Sequence, residues 1–294
     1  MIDGELTADG RERTFTVRLP SGSGRGIPLV LVLHGNMPGY GGAAMRAMTT
    51  FDKQADARGF AVAYPDGVGG CWADGRGVTT ADEAGVDDVA FLRALIDWSA
   101  EHLGTFPDRA VVAGMSNGGF MAHRMGVSAS DRVAVIAAVS GGLPERVRDD
   151  LTAPGQAPSH AVSALLIHGT ADPISPLEGG YSRHRGPNGE LRGRTLSLEE
   201  SAAFWRDIDR CRDEPGDKGD TGQRDTDLSS RTTWAGGHGG TRVSAWTVFG
   251  GGHTWPGSQP WPGFENVTQE FDGAEEIGRF AAELLIPADA RKLS

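Results

Sequence analysis

Glycine supplies 44 of the 294 residues, about twice the roughly 7% share of an average soluble chain. The glycines follow no Gly-X-Y period, and no apolar run approaches the roughly 18 residues of a membrane span, which excludes a collagen-like fibre and a transmembrane segment. The formal net charge of −11 argues against nucleic acid or an anionic membrane as the partner and favours a neutral or cationic small substrate.

The apolar pattern predicts a series of strands. Residues Arg13–Leu19 alternate in polarity, as is typical of an antiparallel edge strand. Later apolar runs end in glycine, proline or a polar residue, which is typical of parallel strands covered by helices on both faces. Five runs have this character: Leu29–Leu33, Phe60–Ala63, Ala110–Ala113, Val133–Val139 and Ala164–Ile167.

Helical periodicity lies between these runs. The clearest helix follows Gly85, where Val89, Leu92, Ile96 and Leu103 share one face. Further helices are predicted over Leu198–Asp207 and Glu270–Leu285. Strands that alternate with helices indicate an α/β fold with a mostly parallel, doubly wound sheet and helices on both faces. No linker divides the chain, so we expect a single domain over residues 1–294.

The last third of the chain contains a polar stretch and a hairpin. Residues 209–230 contain almost no apolar side chains, which predicts a solvated loop. Thr232–Trp234 and Val243–Phe249 then flank a glycine-rich turn at 236–240, as expected of a β-hairpin.

One short motif indicates a nucleophile. Residues 114–118 read Gly-Met-Ser-Asn-Gly, which matches the G-x-S-x-G turn that exposes a serine between a strand and a helix. The pattern alone is weak in a glycine-rich chain, but here a predicted strand precedes it and a helical stretch, 119–125, follows it. The context favours Ser116 as a nucleophile over a plain strand-to-helix turn.

A serine nucleophile needs a base, and the base needs an acid that fixes its tautomer. Where the nucleophile lies on such a strand-to-helix turn, the order along the chain is serine, then the acid, then the histidine. His253 lies directly after the last predicted strand, whereas His184 and His238 lie in a loop and a turn. Asp172 follows the predicted strand Ala164–Ile167; its alternatives are a structural turn before Pro173 and, as the acid, Glu178.

The oxyanion of an acyl-transfer intermediate needs two hydrogen-bond donors. The backbone N–H of Asn117, which follows the nucleophile, is the first candidate. The loop after Leu29–Leu33 supplies the second, for which we favour the N–H of Asn36. His34 in the same loop is interpreted as a structural hydrogen-bonding residue and not as a base.

Six sequence blocks in order span nearly the whole chain: Leu-His-Gly at 33–35, Ala-Tyr-Pro-Asp-Gly at 63–67, Val-Asp-Asp-Val at 86–89, Gly-Met-Ser-Asn-Gly-Gly at 114–119, His-Gly-Thr-Ala-Asp at 168–172 and Gly-Gly-Gly-His-Thr-Trp-Pro-Gly at 250–257. With these blocks the sequence resembles the esterase family of polyhydroxybutyrate depolymerases and bacterial feruloyl or acetylxylan esterases. The resemblance implies an α/β-hydrolase fold, the triad Ser116, Asp172 and His253, and no metal or cofactor. It also implies that Trp72 and Trp255 border the substrate cleft, with loop packing as the alternative for each.

The chain also departs from this family. Members are usually exported, but residues 1–10 lack the features of a signal peptide, so we expect a cytoplasmic protein as written and an extracellular one if the chain is a processed form. The cysteine that matches Cys211 often pairs with one before the last strand, where this chain has none. Whether Cys71 and Cys211 are bridged stays open. No polymer-binding module is found, which favours soluble esters over a crystalline polymer.

The sequence therefore predicts a serine esterase that acts on feruloyl, acetyl or short hydroxyalkanoate esters, which can be small molecules or oligomers. The sequence leaves two alternatives. A peptidase of the prolyl-oligopeptidase type shares the fold but usually carries an additional domain. A non-catalytic binding module on a hydrolase scaffold typically lacks a triad member. The oligomeric state cannot be read from the sequence.

Overall fold

A computed structural model describes residues 1–22, 24–37, 39–151, 158–186, 189–212 and 222–286. The strands are β1 Ile2–Ala8, β2 Arg11–Arg18, β3 Leu29–Leu33, β4 Ala61–Pro65, β5 Ala110–Met115, β6 Val133–Val139, β7 Ser163–Gly169, β8 Gly180–Tyr181, β9 Arg194–Thr195, β10 Gly222–Asp225, β11 Ser229–Trp234 and β12 Val243–Val248. The helices are α1 Gly42–Met48, α2 Phe51–Arg58, α3 Thr80–Glu83, α4 Asp88–Leu103, α5 Asn117–Ser128, α6 Glu145–Asp150, α7 Leu198–Asp209 and α8 Gly273–Leu285.

The main sheet has ten strands in the order β1-β2-β4-β3-β5-β6-β7-β12-β11-β10. The six strands from β4 to β12 are parallel, and antiparallel pairs extend the sheet at both ends. One core contains Phe91, Met121 and Trp205 from α4, α5 and α7. The other contains Phe51 and Phe280 from α2 and α8. Helices therefore cover both faces, which confirms the predicted α/β class.

The amino-terminal edge differs from the prediction. β2 matches the predicted alternating strand, but β1 pairs with its outer side, so β2 is not an edge strand. The two strands are joined by Asp9 and Gly10, which both have positive φ. An Asp-Gly pair of this kind is the turn that suits a two-residue hairpin, so the sequence contained a signal for β1.

The predicted solvated loop at 209–230 is wrong in part. Asp209 ends α7, and Gly222–Asp225 forms β10 at the sheet edge, paired with β11 through residues up to Thr233. An edge strand with one neighbour is held by backbone hydrogen bonds and does not need apolar side chains. The polar sequence of β10 therefore carries no apolar pattern from which a strand could be predicted. Residues 213–221 lie outside the described residues. That the whole chain forms one domain stays a prediction.

The helices α4 and α8 begin directly after an aspartate that caps their first turn. Asp87 accepts a hydrogen bond from the N–H of Ala90 and begins α4 at Asp88. Asp272 accepts from the N–H groups of Ala274 and Glu275, so α8 begins at Gly273 and not at the predicted Glu270. None of the described helices combines the length and the apolar character needed to cross a membrane.

Candidate active site

Ser116 lies on a sharp turn between β5 and α5. Its φ of 55° and ψ of −119° fall in a region that non-glycine residues rarely adopt, and such strain is typical of functional sites. The neighbouring glycines make the turn sterically possible. A Cβ on Gly114 would lie 2.3 Å from the carbonyl carbon of Gly118, and one on Gly118 would lie 2.3 Å from the carbonyl oxygen of Leu33. The turn therefore depends on close backbone contact with the end of β3.

The close contact of Gly118 with β3 can be tested by substitution. A Gly118→Ala substitution should lower the free energy of unfolding by about 3 kcal/mol, because the new Cβ overlaps backbone that cannot move freely. Helix propensity alone would favour alanine by about 1 kcal/mol, so the two effects have opposite signs. Urea unfolding measures the change. Gly24→Ala is the control, since a Cβ there meets nothing within 4 Å; equal stability of the two variants would contradict the described packing.

We call the turn at Ser116 the elbow. The side chain of Asn117, the next residue, is held by three hydrogen bonds. Its Oδ1 accepts a hydrogen bond from the backbone N–H of Trp72 at 2.7 Å, and its Nδ2 donates to the carbonyl oxygen of Trp72 at 3.0 Å and to Asp74 Oδ2 at 2.6 Å. Arg76 in turn pairs with Asp74. As the first residue of α5, Asn117 has a backbone N–H that the helix cannot satisfy. That N–H is held in a fixed direction beside Ser116.

The loop after β3 lies against the elbow. A Cβ on Gly35 would be 3.6 Å from the Cβ of Ser116, and the next residue, Asn36, is exposed. His34 is buried beneath this loop; its Nδ1 lies 2.8 Å from the carbonyl oxygen of Gly35, and its Nε2 accepts from the N–H of Gly67 at 2.9 Å. Burial lowers the pKa of His34. Both ring nitrogens are therefore occupied in a neutral ring, as expected of a structural hydrogen-bonding residue.

Asp172 and His253 meet at the same end of the sheet. His253 Nδ1 lies 2.8 Å from Asp172 Oδ2, and Asp172 Oδ1 accepts from the N–H groups of Ile174 and Ser175, each at 2.8 Å. His168 Nε2 donates to the carbonyl oxygen of Ser175 at 2.9 Å and lies 3.5 Å from Asp172 Oδ2. Burial raises the pKa of Asp172, but hydrogen bonds from His168 and His253 outweigh it and hold this pKa well below its usual range. Asp172 is thus a buried carboxylate at neutral pH.

Backbone contacts bring the two loops together. The N–H of Thr170 donates to the carbonyl oxygen of Val248, and the N–H of Ala171 donates to that of Gly251, each at 2.9 Å. A Cβ on Gly169 would lie 2.2 Å from the oxygen of Gly251, so this approach requires glycine. The glycines that follow β7 and β12 thereby allow the aspartate loop to reach the histidine loop.

Sequence reasoning did not identify His168 as a contact of Asp172. The signal was present, because His168 directly follows the apolar run Ala164–Ile167 and lies four residues before Asp172, in the His-Gly-Thr-Ala-Asp block. Asp74, the carboxylate that receives the Asn117 amide, was also missed. It follows Trp72 in a glycine-rich loop, and no local pattern connects it with residue 117.

His123 is a buried histidine of α5 below the elbow. Its Nδ1 accepts from Trp205 Nε1 at 2.9 Å, so the proton lies on Nε2, which faces the carbonyl oxygen of Gly141 at 3.2 Å. A Cβ on Gly141 would lie 3.0 Å from the carbonyl oxygen of Ser116. Burial lowers the pKa of His123 to about 3, against the hydrogen bond to Gly141 that raises it. The ring is neutral and supports the backbone beneath Ser116.

The lowered pKa of His123 predicts a pH-dependent stability. In the unfolded chain a histidine takes up a proton below about pH 6.5, whereas folded His123 stays neutral down to about pH 3. Its contribution is therefore full above pH 6.5 and falls by up to about 1.4 kcal/mol per pH unit as the pH drops. The stability advantage of wild type over His123→Gln should shrink by about 2 kcal/mol between pH 7 and pH 4.5.

Urea unfolding at several pH values tests this prediction. His238→Gln provides the control, since His238 is exposed in a turn and its loss should leave the pH dependence of wild type intact. Parallel stability curves for wild type and His123→Gln would rule out the buried neutral ring.

Trp72 and Trp255 differ from their prediction as residues that border the substrate cleft. Their side chains are 0% and 1% exposed. Trp72 Nε1 donates to the carbonyl oxygen of His34 at 2.9 Å, and Trp255 packs edge-on against Phe51 with ring centroids 5.9 Å apart. Side chains that are buried to this extent pack beneath the loops and do not line an open cleft. This favours loop packing, the alternative role, for both tryptophans.

Both cysteines are free and buried. Cys71 lies 3.1 Å from the hydroxyl of Thr80, and Cys211 lies beside Thr241. Burial raises the pKa of the Cys211 thiol. Cys71 and Cys211 are therefore not bridged to each other, which the sequence left open.

A mostly parallel sheet with a strained serine elbow after one strand, and an aspartate and a histidine after two others, defines an α/β hydrolase. The comparisons with known proteins agree. A solved structure described as "Acetyl xylan esterase from Aspergillus awamori" matches with a TM-score of 0.59 and 13% identity, covering 86% of this chain and 94% of that one. At this identity the match shows the fold alone.

Sequence comparison gives the family. A family model described as "Putative esterase" matches residues 7–214. "Putative esterase NocK" of Nocardia uniformis subsp. tsuyamanensis is 34% identical over 266 residues, which cover 86% of this chain and 73% of the relative. "Feruloyl esterase C" of Emericella nidulans is 26% identical over 188 residues, 62% of each chain. The chain belongs to the esterase family and is a carboxylic ester hydrolase.

Proposed function

We propose that the chain hydrolyses carboxylic esters through an acyl-enzyme on Ser116, with His253 as the base and Asp172 as the acid that orients it. The observation that carries the proposal is the 2.8 Å contact between His253 Nδ1 and Asp172 Oδ2. A carboxylate at this distance keeps the proton of the neutral imidazole on Nδ1. His253 Nε2 is then the nitrogen that can accept a proton from Ser116.

Two further observations support Ser116 as the partner of His253. Ser116 is the only partly exposed residue in the otherwise buried span from Ala110 to Phe120, and it follows β5 at the carboxyl edge that also carries the loops after β7 and β12. In the described part of the chain no hydrogen bond joins Ser116 Oγ to His253. In ligand-free hydrolases such bonds are often long and tighten when the substrate binds.

The proposed reaction has two halves. Ser116 Oγ attacks the ester carbonyl while His253 Nε2 takes its proton, and the imidazolium then protonates the leaving alcohol. Water, activated by the same nitrogen, attacks the acyl-enzyme and releases the acid and free Ser116. The backbone N–H groups of Asn117 and Asn36 would stabilise the oxyanion in both halves. Each such donor typically contributes 10²–10³-fold to kcat.

The proposed substrates are soluble feruloyl, acetyl or short hydroxyalkanoate esters, as small molecules or oligomers. The name of the Emericella nidulans relative supports a feruloyl ester, and the family resemblance of the six sequence blocks is what suggests the acetyl and hydroxyalkanoate esters. The net charge of −11 favours neutral esters over anionic ones.

A panel of substrates tests the proposal. The purified protein should hydrolyse p-nitrophenyl acetate and at least one of methyl ferulate, acetylated xylan and 3-hydroxybutyrate oligomers. Matched peptide amides should not be cleaved. Cleavage of the amides without hydrolysis of any ester would replace the proposal by the peptidase alternative.

A further inference from the structure

A buried ion pair lies beside the first turn of α5. Arg76 Nη2 donates to Asp74 Oδ2 at 2.7 Å, and Arg76 Nε lies 3.1 Å and 3.0 Å from the two oxygens of that carboxylate. The side chains of Asp74 and Arg76 are 0% and 7% exposed. Apolar residues often replace such a buried pair without loss of stability. Stability alone therefore does not account for these two charges, which we call the Asp74–Arg76 pair.

Packing confines Arg76 next to Asp74. The central carbon of its guanidinium lies 4.0 Å from the ring centroid of Phe120, and the N–H of Phe120 donates to the carbonyl oxygen of Ser116 at 2.9 Å. On another side, a Cβ on Gly193 would lie 2.5 Å from the Cβ of Arg76. The guanidinium is thus held between the first turn of α5 and the chain before β9.

The Asp74–Arg76 pair reaches the proposed oxyanion donor through one side chain. Asn117 Nδ2 donates to Asp74 Oδ2 at 2.6 Å, the shortest of the three hydrogen bonds that the Asn117 amide makes. The other two bind the backbone of Trp72 and use the second amide hydrogen and the amide oxygen. Because the asparagine side chain is short, an amide that is fixed at three points also fixes the backbone N–H of Asn117.

The loop that carries Asp74 is itself fixed. The N–H of Ala73 donates to Asp88 Oδ2 at 2.7 Å, and Asp88 Oδ1 accepts from Arg13 Nη2 at 2.7 Å. The side chains of Arg13 from β2 and Asp88 from α4 are 1% and 0% exposed. Asp74 is therefore a rigid anchor for the amide of Asn117.

The two charges of the pair would have opposite effects on the reaction. The proposed oxyanion develops negative charge at the backbone N–H of Asn117. A lone carboxylate against the side chain of the same residue would repel that charge, and the repulsion would be strong because the surroundings are buried. Arg76 cancels the repulsion, so Asp74 can be a charged, and hence strong, acceptor for the Asn117 amide.

We propose that Asp74 and Arg76 are positioning residues of the ester hydrolysis, an inference that rests on the proposed function. Asp74 holds the amide of Asn117 and thereby aims the backbone N–H of Asn117 at the oxyanion, and Arg76 neutralises Asp74. Neither residue needs to touch the substrate. Because both act on the oxyanion, their loss should lower kcat and leave KM within about 3-fold of its wild-type value.

Three variants separate the hold on Asn117 from the charge. Arg76→Gln leaves the carboxylate without its counter-ion, so kcat for p-nitrophenyl acetate should fall by about 10-fold or more. Asp74→Asn/Arg76→Gln removes both charges but keeps an amide oxygen that can accept from Asn117 Nδ2, and should return kcat to within about 3-fold of wild type. Asp74→Ala/Arg76→Gln removes both charges and the acceptor, and its kcat should stay about 10-fold below wild type.

Arg93→Gln is the matched control for these variants. Arg93 binds both carboxylate oxygens of Asp131, at 2.6 Å and 2.7 Å, and Asp131 precedes β6 at the opposite edge of the sheet from Ser116. This variant should keep the wild-type kcat. Unchanged kcat in folded Arg76→Gln, or equal kcat in the two double variants, would overturn the proposal. If Arg76→Gln does not fold, the two double variants decide, since neither contains an unpaired charge at this place.

Inhibition by phenylboronic acid gives a readout without turnover. An activated serine adds to the boron and forms a tetrahedral adduct that resembles the intermediate with its oxyanion. The inhibition constant should be about 10-fold higher in Asp74→Ala/Arg76→Gln than in Asp74→Asn/Arg76→Gln, because only the second variant still holds Asn117. Equal inhibition constants in these two variants would overturn the positioning role.

Failure of the positioning role can be distinguished from failure of the proposed function. In wild type, phenylboronic acid should compete with p-nitrophenyl acetate and protect Ser116 from labelling by a fluorophosphonate. If wild type shows no such protection, the proposed function and the positioning role fail together. If wild type is protected but the two double variants have equal inhibition constants, the proposed function stands and the positioning role does not.

Discussion

Ser116→Ala should lower kcat for p-nitrophenyl acetate by at least about 10⁴-fold, since the elbow serine supplies the atom that becomes acylated. The change removes one oxygen and leaves the turn between β5 and α5 with the same backbone. Alanine still has a Cβ at a positive φ, so the strain of the elbow persists and the fold should keep its stability to within about 0.5 kcal/mol. Initial rates under saturating substrate measure the effect.

Ser128→Ala is the matched control for this prediction. Ser128 is an exposed serine at the far end of the same helix, α5, and its loss should leave kcat unchanged. If Ser116→Ala retained more than a tenth of the wild-type kcat while remaining folded, Ser116 could not be the nucleophile.

Asp172→Asn should lower kcat by about 10⁴-fold, the loss that accompanies a wrong histidine tautomer. The orientation of the new amide follows from its neighbours. Asp172 Oδ1 accepts from two backbone N–H groups, so the amide oxygen must stay there and the amide NH₂ must face His253 Nδ1. Nδ1 would then accept, the proton would move to Nε2, and His253 could no longer take a proton from Ser116.

Stopped assays over a range of enzyme concentrations measure this loss. Asp207→Asn serves as the control, because the Asp207 side chain is 76% exposed on α7 and its charge should not matter for turnover. Wild-type activity in a folded Asp172→Asn protein would show that Asp172 does not orient the base, and Glu178 would then become the residue to test.

The elements that could be predicted from the sequence are those whose own residues carry a clear local pattern. β3 and β6 have the predicted bounds, because a strand covered on both faces must be apolar throughout. The elbow was also predictable, since its G-x-S-x-G signature lies within one strand–turn–helix unit, although Gly118 is required by contact with the end of β3. β10 was not, because a polar edge strand leaves no apolar pattern.

The burial of Trp72 and Trp255 depends on residues far away in the chain. Trp255 packs against Phe51, and Trp72 contacts the backbone of His34. Periodicity within a loop carries no information about such contacts. The same holds for the contact of Trp261 with Tyr40, which lies near the opposite end of the sequence.

The acyl-enzyme on Ser116 is tested most directly by covalent labelling. The folded protein is treated with a fluorophosphonate, which reacts with activated serines, and the modified peptide is identified by mass spectrometry. We expect one adduct for each chain, on the peptide that contains Ser116, with loss of esterase activity in proportion to labelling and no adduct in Ser116→Ala. Labelling of another serine, or full activity in a protein whose Ser116 is modified, would contradict the proposed mechanism.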